Sequence, residues 1–80
     1  MNVTIRAFGI AKEIFASSEI EIEVPELITV AGLKEYLRIN YPPLDSLKSF
    51  VLAVNNSYVN ETQLIQELDE IAVIPPVSGG

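Results

Sequence analysis

The chain has 80 residues, 49% of them hydrophobic and 20% charged, with a net charge of −6, the profile of one small packed domain rather than a disordered segment. It contains no cysteine and no histidine, which excludes a disulfide framework, thiolate or imidazole zinc sites, Ser-His and Cys-His nucleophilic catalysis, and sulfur chemistry on a side-chain thiol. The acidic balance argues against nucleic acid, whose phosphates need a basic face, and suits a partner with a basic surface.

Residues 2–8 alternate: Val3, Ile5 and Ala7 point one way, Thr4, Arg6 and Phe8 the other, as in a half-buried strand. Phe8 is the odd member, an aromatic sharing the polar face with Arg6. Residues 9–15 keep no clean period and read as a turn and a short helical piece, with Ile14 or Phe15 tucked under the sheet. Residues 19–24 form the clearest strand, Ile20, Ile22 and Val24 inward and Glu19, Glu21 and Glu23 outward. Three carboxylates on one strand face read as a solvated sheet edge rather than an acid/base or cation site. The connection between the two strands makes them a hairpin with a long loop.

Pro25 stops the second strand and Thr29 is suited to cap a helix. Val30, Leu33, Leu37 and Tyr41 then recur at helical spacing, opposite Lys34, Glu35 and Arg38, until Pro42 and Pro43 end the run. Leu44 and Leu47 are expected to anchor the following loop. Residues 50–54 are apolar throughout and fit an interior strand. Asn55 and Asn56 turn the chain into a short return strand, 57–59. Residues 60–67 are polar, with Leu64 and Leu68 expected to anchor them. Asp69 and Glu70 read as a turn before a last strand, 71–74, with Ile71 and Val73 on one face and Ala72 and Ile74 on the other.

The order strand, strand, helix, strand, short strand, strand implies an α+β domain with the helix on one sheet face, the β-grasp pattern. The other face is then partly open. If first and last strands are neighbours, Phe8 and Ile74 meet there, and Tyr58 extends an apolar patch of the kind that marks interfaces.

After the last strand come Pro75, Pro76, Val77, Ser78, Gly79 and Gly80. The prolines withhold backbone donors and end the sheet; the last three residues offer almost nothing to pack. Residues 75–80 therefore read as a flexible tail on a 1–74 domain, reaching about 20 Å when extended. No run approaches the length of a membrane span. Arg6, Lys12 and Glu13 interrupt the start of the chain where a signal peptide would be apolar, so a cytoplasmic protein with no membrane partner is expected.

The run Asp69-Glu70-Ile71-Ala72-Val73-Ile74-Pro75-Pro76-Val77-Ser78-Gly79-Gly80, with Ala53-Val54-Asn55, Tyr58-Val59 and Phe8-Gly9-Ile10-Ala11-Lys12-Glu13, resembles the small subunit of molybdopterin synthase, the MoaD family. The likeness covers nearly the whole chain, and its specific part is the Pro-Pro-Val-Ser-Gly-Gly ending directly after the last strand. The resemblance implies a ubiquitin-like β-grasp fold, with a mixed sheet of four to five strands and one main helix on one face. It also implies a sulfur carrier whose Gly80 carboxylate is adenylated by an E1-like (MoeB-like) enzyme that uses ATP. Sulfur from a persulfide donor protein then converts the adenylate to a thiocarboxylate. The tail, Pro75 to Gly79, enters the large subunit (MoaE-like), where cyclic pyranopterin monophosphate (precursor Z) receives sulfur. Phe8, Tyr58 and Ile74 would contact partners, and Lys12 matches a basic position that can pair with the large subunit. Ile74 and Ser78 depart from the family's common aromatic and threonine.

The tail's chemistry accords with this role. A terminal carboxylate is ionised at pH 7 and can attack the α-phosphate of ATP. Glycine at the last two positions lets the terminus thread a narrow channel. The chain itself is expected to bind no cofactor and no metal and to be non-catalytic alone, its active-site side chains residing on the large subunit. Carriers for thiamine-type thiazole synthesis (ThiS) or tRNA thiolation, ubiquitin-like protein modifiers, and a plain interaction module share parts of this pattern and remain open at this point.

Overall fold

The computed structural model of the chain describes residues 1–47 and 50–75. Five strands and one main helix follow in the order β1 (Asn2–Ala7), α1 (Ile10–Phe15), β2 (Glu19–Glu23), α2 (Val30–Asn40), a 3-10 turn (Pro42–Ser46), β3 (Val51–Val54), β4 (Ser57–Tyr58) and β5 (Glu70–Ile74). They form a single sheet in the order β2-β1-β5-β3-β4. The sheet is mixed: β1 and β5 run parallel, with Ile5 beside Ile71 and Ala7 beside Val73, and the other neighbours are antiparallel. This is the expected β-grasp architecture, with five strands.

Alternation explains what each strand buries. Val3, Ile5 and Ala7 of β1, Ile71 and Val73 of β5, and Leu52 and Val54 of β3 all join the core under α2. β2 lies at the edge, so Ile20 and Ile22 are only half-buried, whereas Val24, just past the strand, is buried. α2 contributes Val30, Leu33 and Leu37 at helical spacing. Its first turn is capped as expected: the Gly32 amide donates to Thr29 Oγ1 at 3.1 Å. Pro42 and Pro43 stop it and open the 3-10 turn, which carries Leu44 into the core. Tyr41, at the end of α2, meets Phe15 edge-on with ring centroids 4.6 Å apart. α1 thereby ties the β1–β2 connection to the core, with Phe15 buried and Ile14 half-buried. Lys34 and Arg38 lie over the buried Phe50 ring at 5.3 and 5.8 Å, sealing that side.

The segment between β4 and β5 departs from the expectation. Leu64 and Leu68 are not anchors; Leu68 is 79% exposed, and the buried residue is Ile65, at 3%. The two leucines stand at helical spacing, but the chain here is a series of turns with a single bridge to the entry of α2. Thr29 bridges Leu64, the Val30 amide donates to Gln63 O at 2.9 Å, and the Ile65 amide to Ile28 O at 2.8 Å. That bridging turns Ile65, not its neighbour, inward. Leu68 sits in the left-handed region at φ 71 and is held only through its amide, which donates to Asn2 O.

Asp69 makes the expected turn, while Glu70 already belongs to β5. Asp69 Oδ2 accepts from the Gln66 amide at 2.8 Å and its Oδ1 from Asn55 Nδ2 at 3.0 Å; Asn55 Oδ1 in turn accepts from the Glu70 amide. These bonds join the β3–β4 turn to the start of β5. The turn itself has Asn55 and Asn56 at φ 50 and 70, the conformation a tight hairpin needs.

Substituting Ile65 by alanine is expected to cost about 2–4 kcal/mol of unfolding free energy, as for a large core aliphatic. Leu68→Ala is expected to stay within about 0.5 kcal/mol; urea titration followed by circular dichroism distinguishes the two.

Candidate docking face and tail base

Among the described residues no helix covers the sheet face away from α2. Strand register arranges its side chains in rows. One row runs Glu19, Arg6, Ala72, Ala53, Tyr58 across β2, β1, β5, β3 and β4. Ile74 pairs with Val51 in the next row, and Phe8, one residue beyond the Ala7–Val73 pair, comes level with Ile74. Phe8, Val51 and Tyr58 are large and exposed, and Ile74 is half-buried. Ala53 is only 5% exposed although it lies on this face. It forms a closed floor between larger neighbours. Contiguous exposed apolar side chains are found at interfaces more often than scattered single ones.

Phe8 and Ile74 are thus direct neighbours, as the sequence pattern required, whereas Tyr58 stands two strands from Ile74 and is joined to it through Val51 and Ala53. Val51 escaped the sequence reading because an unbroken apolar run, 50–54, carries no alternation to show which of its residues face outward. Glu19, Glu21 and Glu23 line the β2 edge of the same face, all exposed, as a solvated margin beside the apolar patch.

The tail leaves this patch at the row of Phe8 and Ile74. Pro75 follows Ile74, is half-buried, and sets its ring over Gly9: a Cβ at Gly9 would stand 3.5 Å from Pro75 Cγ. Gly9 has φ 57 and ψ −132, a conformation that L side chains rarely adopt, and its carbonyl accepts from the Lys12 amide at 3.1 Å. The exposed Lys12 therefore stands in α1, three residues after the glycine against which Pro75 is set. Pro76, Val77, Ser78, Gly79 and Gly80 lie outside the described residues. Among the described residues no pocket opens, no group of acidic side chains could hold a metal, and no helix is long and apolar enough to cross a membrane.

The sequence model of the ThiS family matches residues 5–80. The chain belongs to the ThiS family. Curated relatives are named molybdopterin synthase sulfur carrier subunit. That of Arabidopsis thaliana is 30% identical over 81 residues, spanning 100% of this chain and 84% of the relative; that of Dictyostelium discoideum is 40% identical over 80 residues, spanning 95% and 93%. Among solved structures, subunit 1 of a molybdopterin converting factor from Pyrococcus furiosus superposes with a TM-score of 0.79 at 26% identity, covering 96% of this chain and 99% of that one. A complex of subunits 1 and 2 of the molybdopterin-converting factor from Helicobacter pylori matches with a TM-score of 0.68 at 26% identity and full coverage of both chains. SAMP1 from Haloferax volcanii shares the fold, with a TM-score of 0.82 at 22% identity and full coverage of both chains.

In this ThiS-family chain the open face carries, among the described residues, one ion pair, Arg6 Nη1 to Glu70 Oε1 at 3.2 Å, with the side chains 44% and 48% exposed. At that exposure the pair adds little to folding. Arg6→Leu is accordingly expected to shift the unfolding free energy by less than about 1 kcal/mol, checked by chemical denaturation with and without added salt.

Proposed function

We propose that this protein is the sulfur carrier subunit of a molybdopterin synthase, carrying sulfur as a thiocarboxylate on Gly80 and donating it to a pterin precursor held by a large subunit. The observation that carries the reading is the full-length likeness to subunits of that name. An apolar face that meets the base of the tail at Phe8, Ile74 and Pro75 supports it.

The chemistry is confined to the tail. A carboxylate oxygen of Gly80 attacks the α-phosphorus of ATP on an E1-like enzyme, and pyrophosphate leaves. The terminal sulfur of a persulfide donor then displaces AMP from the acyl carbon, and a second thiol cleaves the resulting S–S bond, leaving the thiocarboxylate on the carrier. The anionic sulfur is the nucleophile toward cyclic pyranopterin monophosphate, and two rounds supply the two sulfurs of the dithiolene. With no histidine or cysteine in the chain, the cationic and acid/base groups for these steps belong to the partners. The carrier binds no cofactor of its own, and ATP is consumed on the activating enzyme. Phe8, Val51, Tyr58 and Ile74 hold the domain on its partners while residues 75–80 reach the reacting centre. Lys12 adds a cation near the base of the tail. The net charge of −6 draws the carrier toward basic partner surfaces.

Incubation with activating enzyme, ATP and a persulfide donor is expected to replace one oxygen by one sulfur in the C-terminal peptide, read by intact and peptide mass spectrometry. Addition of large subunit and cyclic pyranopterin monophosphate then yields molybdopterin, and deletion of Gly80 abolishes both signals. A loaded carrier that yields no molybdopterin and accumulates instead on lysines of other proteins would establish a protein modifier in place of this reading. Ile74→Asp, which sets a charge in the row at the tail base, is expected to weaken large-subunit binding by about tenfold or more, measured by calorimetry.

A further inference from the structure

Arg6 is the only cation among the strand positions of the open face, where Glu19, Glu21, Glu23 and Glu70 are the charged neighbours. It stands at the border of the acidic margin and the apolar patch. On one side its Cζ lies 6.0 Å from the centre of the Phe8 ring; on another, Nη1 donates to Glu70 Oε1 at 3.2 Å. Glu19 is its partner across β2, and Ala72 is beside it on β5. The Phe8 that looked out of place on a polar face is thus matched to a guanidinium.

A guanidinium has five N–H donors in a fixed planar fork, and among the described residues only one hydrogen bond from it is made. In the free protein water satisfies the rest. When a partner covers Phe8, Ile74 and Val51, that water leaves. The half-exposed Arg6–Glu70 pair then enters a low-dielectric contact, where unmatched donors are costly. A wholly apolar partner surface would be penalised. One that brings a carboxylate or carbonyl oxygen to the open edge of the fork would be favoured, because charge-assisted, two-pronged hydrogen bonds are the strong and directional ones.

We propose that Arg6 is a specificity-determining residue of the docking face. It selects a large subunit that places a hydrogen-bond acceptor, a carboxylate or a main-chain carbonyl, against the free edge of its guanidinium beside the ring of Phe8. This rests on the sulfur-carrier reading for the identity of the occupant. The acidic margin of β2 steers a basic surface onto the face, and Arg6 tests whether the partner also supplies one acceptor at one place. Discrimination here comes from penalising surfaces that lack it.

The test uses full-length carrier with the thiocarboxylate already installed by sulfide cleavage of an intein fusion, so that activation is bypassed. Binding to the large subunit encoded in the same genome is followed by surface plasmon resonance for wild type, Arg6→Leu and Arg6→Lys, each first shown by circular dichroism and denaturant titration to be fully folded under the binding conditions. Arg6→Leu is expected to raise Kd by about tenfold or more, chiefly through faster dissociation. Arg6→Lys, which keeps the charge and loses the fork, is expected to stay nearer the leucine variant than wild type. Unchanged or tighter binding by Arg6→Leu overturns the proposal, as does full rescue by lysine. Sedimentation velocity at the same concentrations supplies one more outcome: self-association of the wild type that is lost in Arg6→Leu would make a second copy the occupant and overturn it too. Failure of wild type to bind the large subunit or to form molybdopterin would instead sink the sulfur-carrier reading, so the two failures are separable.

Discussion

The parallel pairing of β1 with β5 is the constraint from which the rest of the molecule follows. It places the first and last strands at the middle of the sheet, with Ile5 against Ile71 and Ala7 against Val73, all four buried under α2. A parallel neighbour cannot be reached by a tight turn, so the chain between them must supply the helix, the β3–β4 hairpin and the Ile65 segment. Each of these elements then buries an apolar residue against that central pair of strands. Because the two strands run the same way, the end of β1 and the end of β5 emerge at the same place. Phe8 and Gly9 thereby meet Ile74 and Pro75, which are distant from them in sequence.

On the sulfur-carrier reading proposed above, that geometry divides a packed body from the terminal residue that reacts. The described core contains no buried polar or charged residue, and among the described residues no pocket opens. On that reading stability and chemistry are uncoupled: the body presents a face, and bonds are made and broken at Gly80. The ion pair on the open face fits this division, since it contributes little to holding the domain together and is free to be used in recognition.

Much of this was legible from residue patterns. Strict alternation in β1 and β2 set their inward residues, Thr29 and the prolines bounded α2, and Asn55-Asn56 announced the hairpin. The neighbourhood of Phe8 and Ile74 followed once the end strands were taken as adjacent. What escaped did so for identifiable reasons. The segment carrying Leu64, Ile65 and Leu68 has no regular secondary structure, so neither helical spacing nor alternation applies, and only its bridge to Thr29 decides which residue turns in. Val51 sits in a run that is apolar on both faces. Alternation places Arg6 on a polar strand face without naming a partner, because Glu70 is remote in sequence and meets it only through the β1–β5 register.

The margins of the sheet carry a consequence of their own. One border strand, β2, displays a glutamate at every outward position, and the other, β4, is only two residues long. Neither edge is a good template for a second chain: the like charges along β2 and the brevity of β4 both disfavour strand addition. A companion protein is left to approach broadside, and its grip must come from side-chain shape and polarity, so the fidelity of any such pairing is written in a handful of replaceable residues.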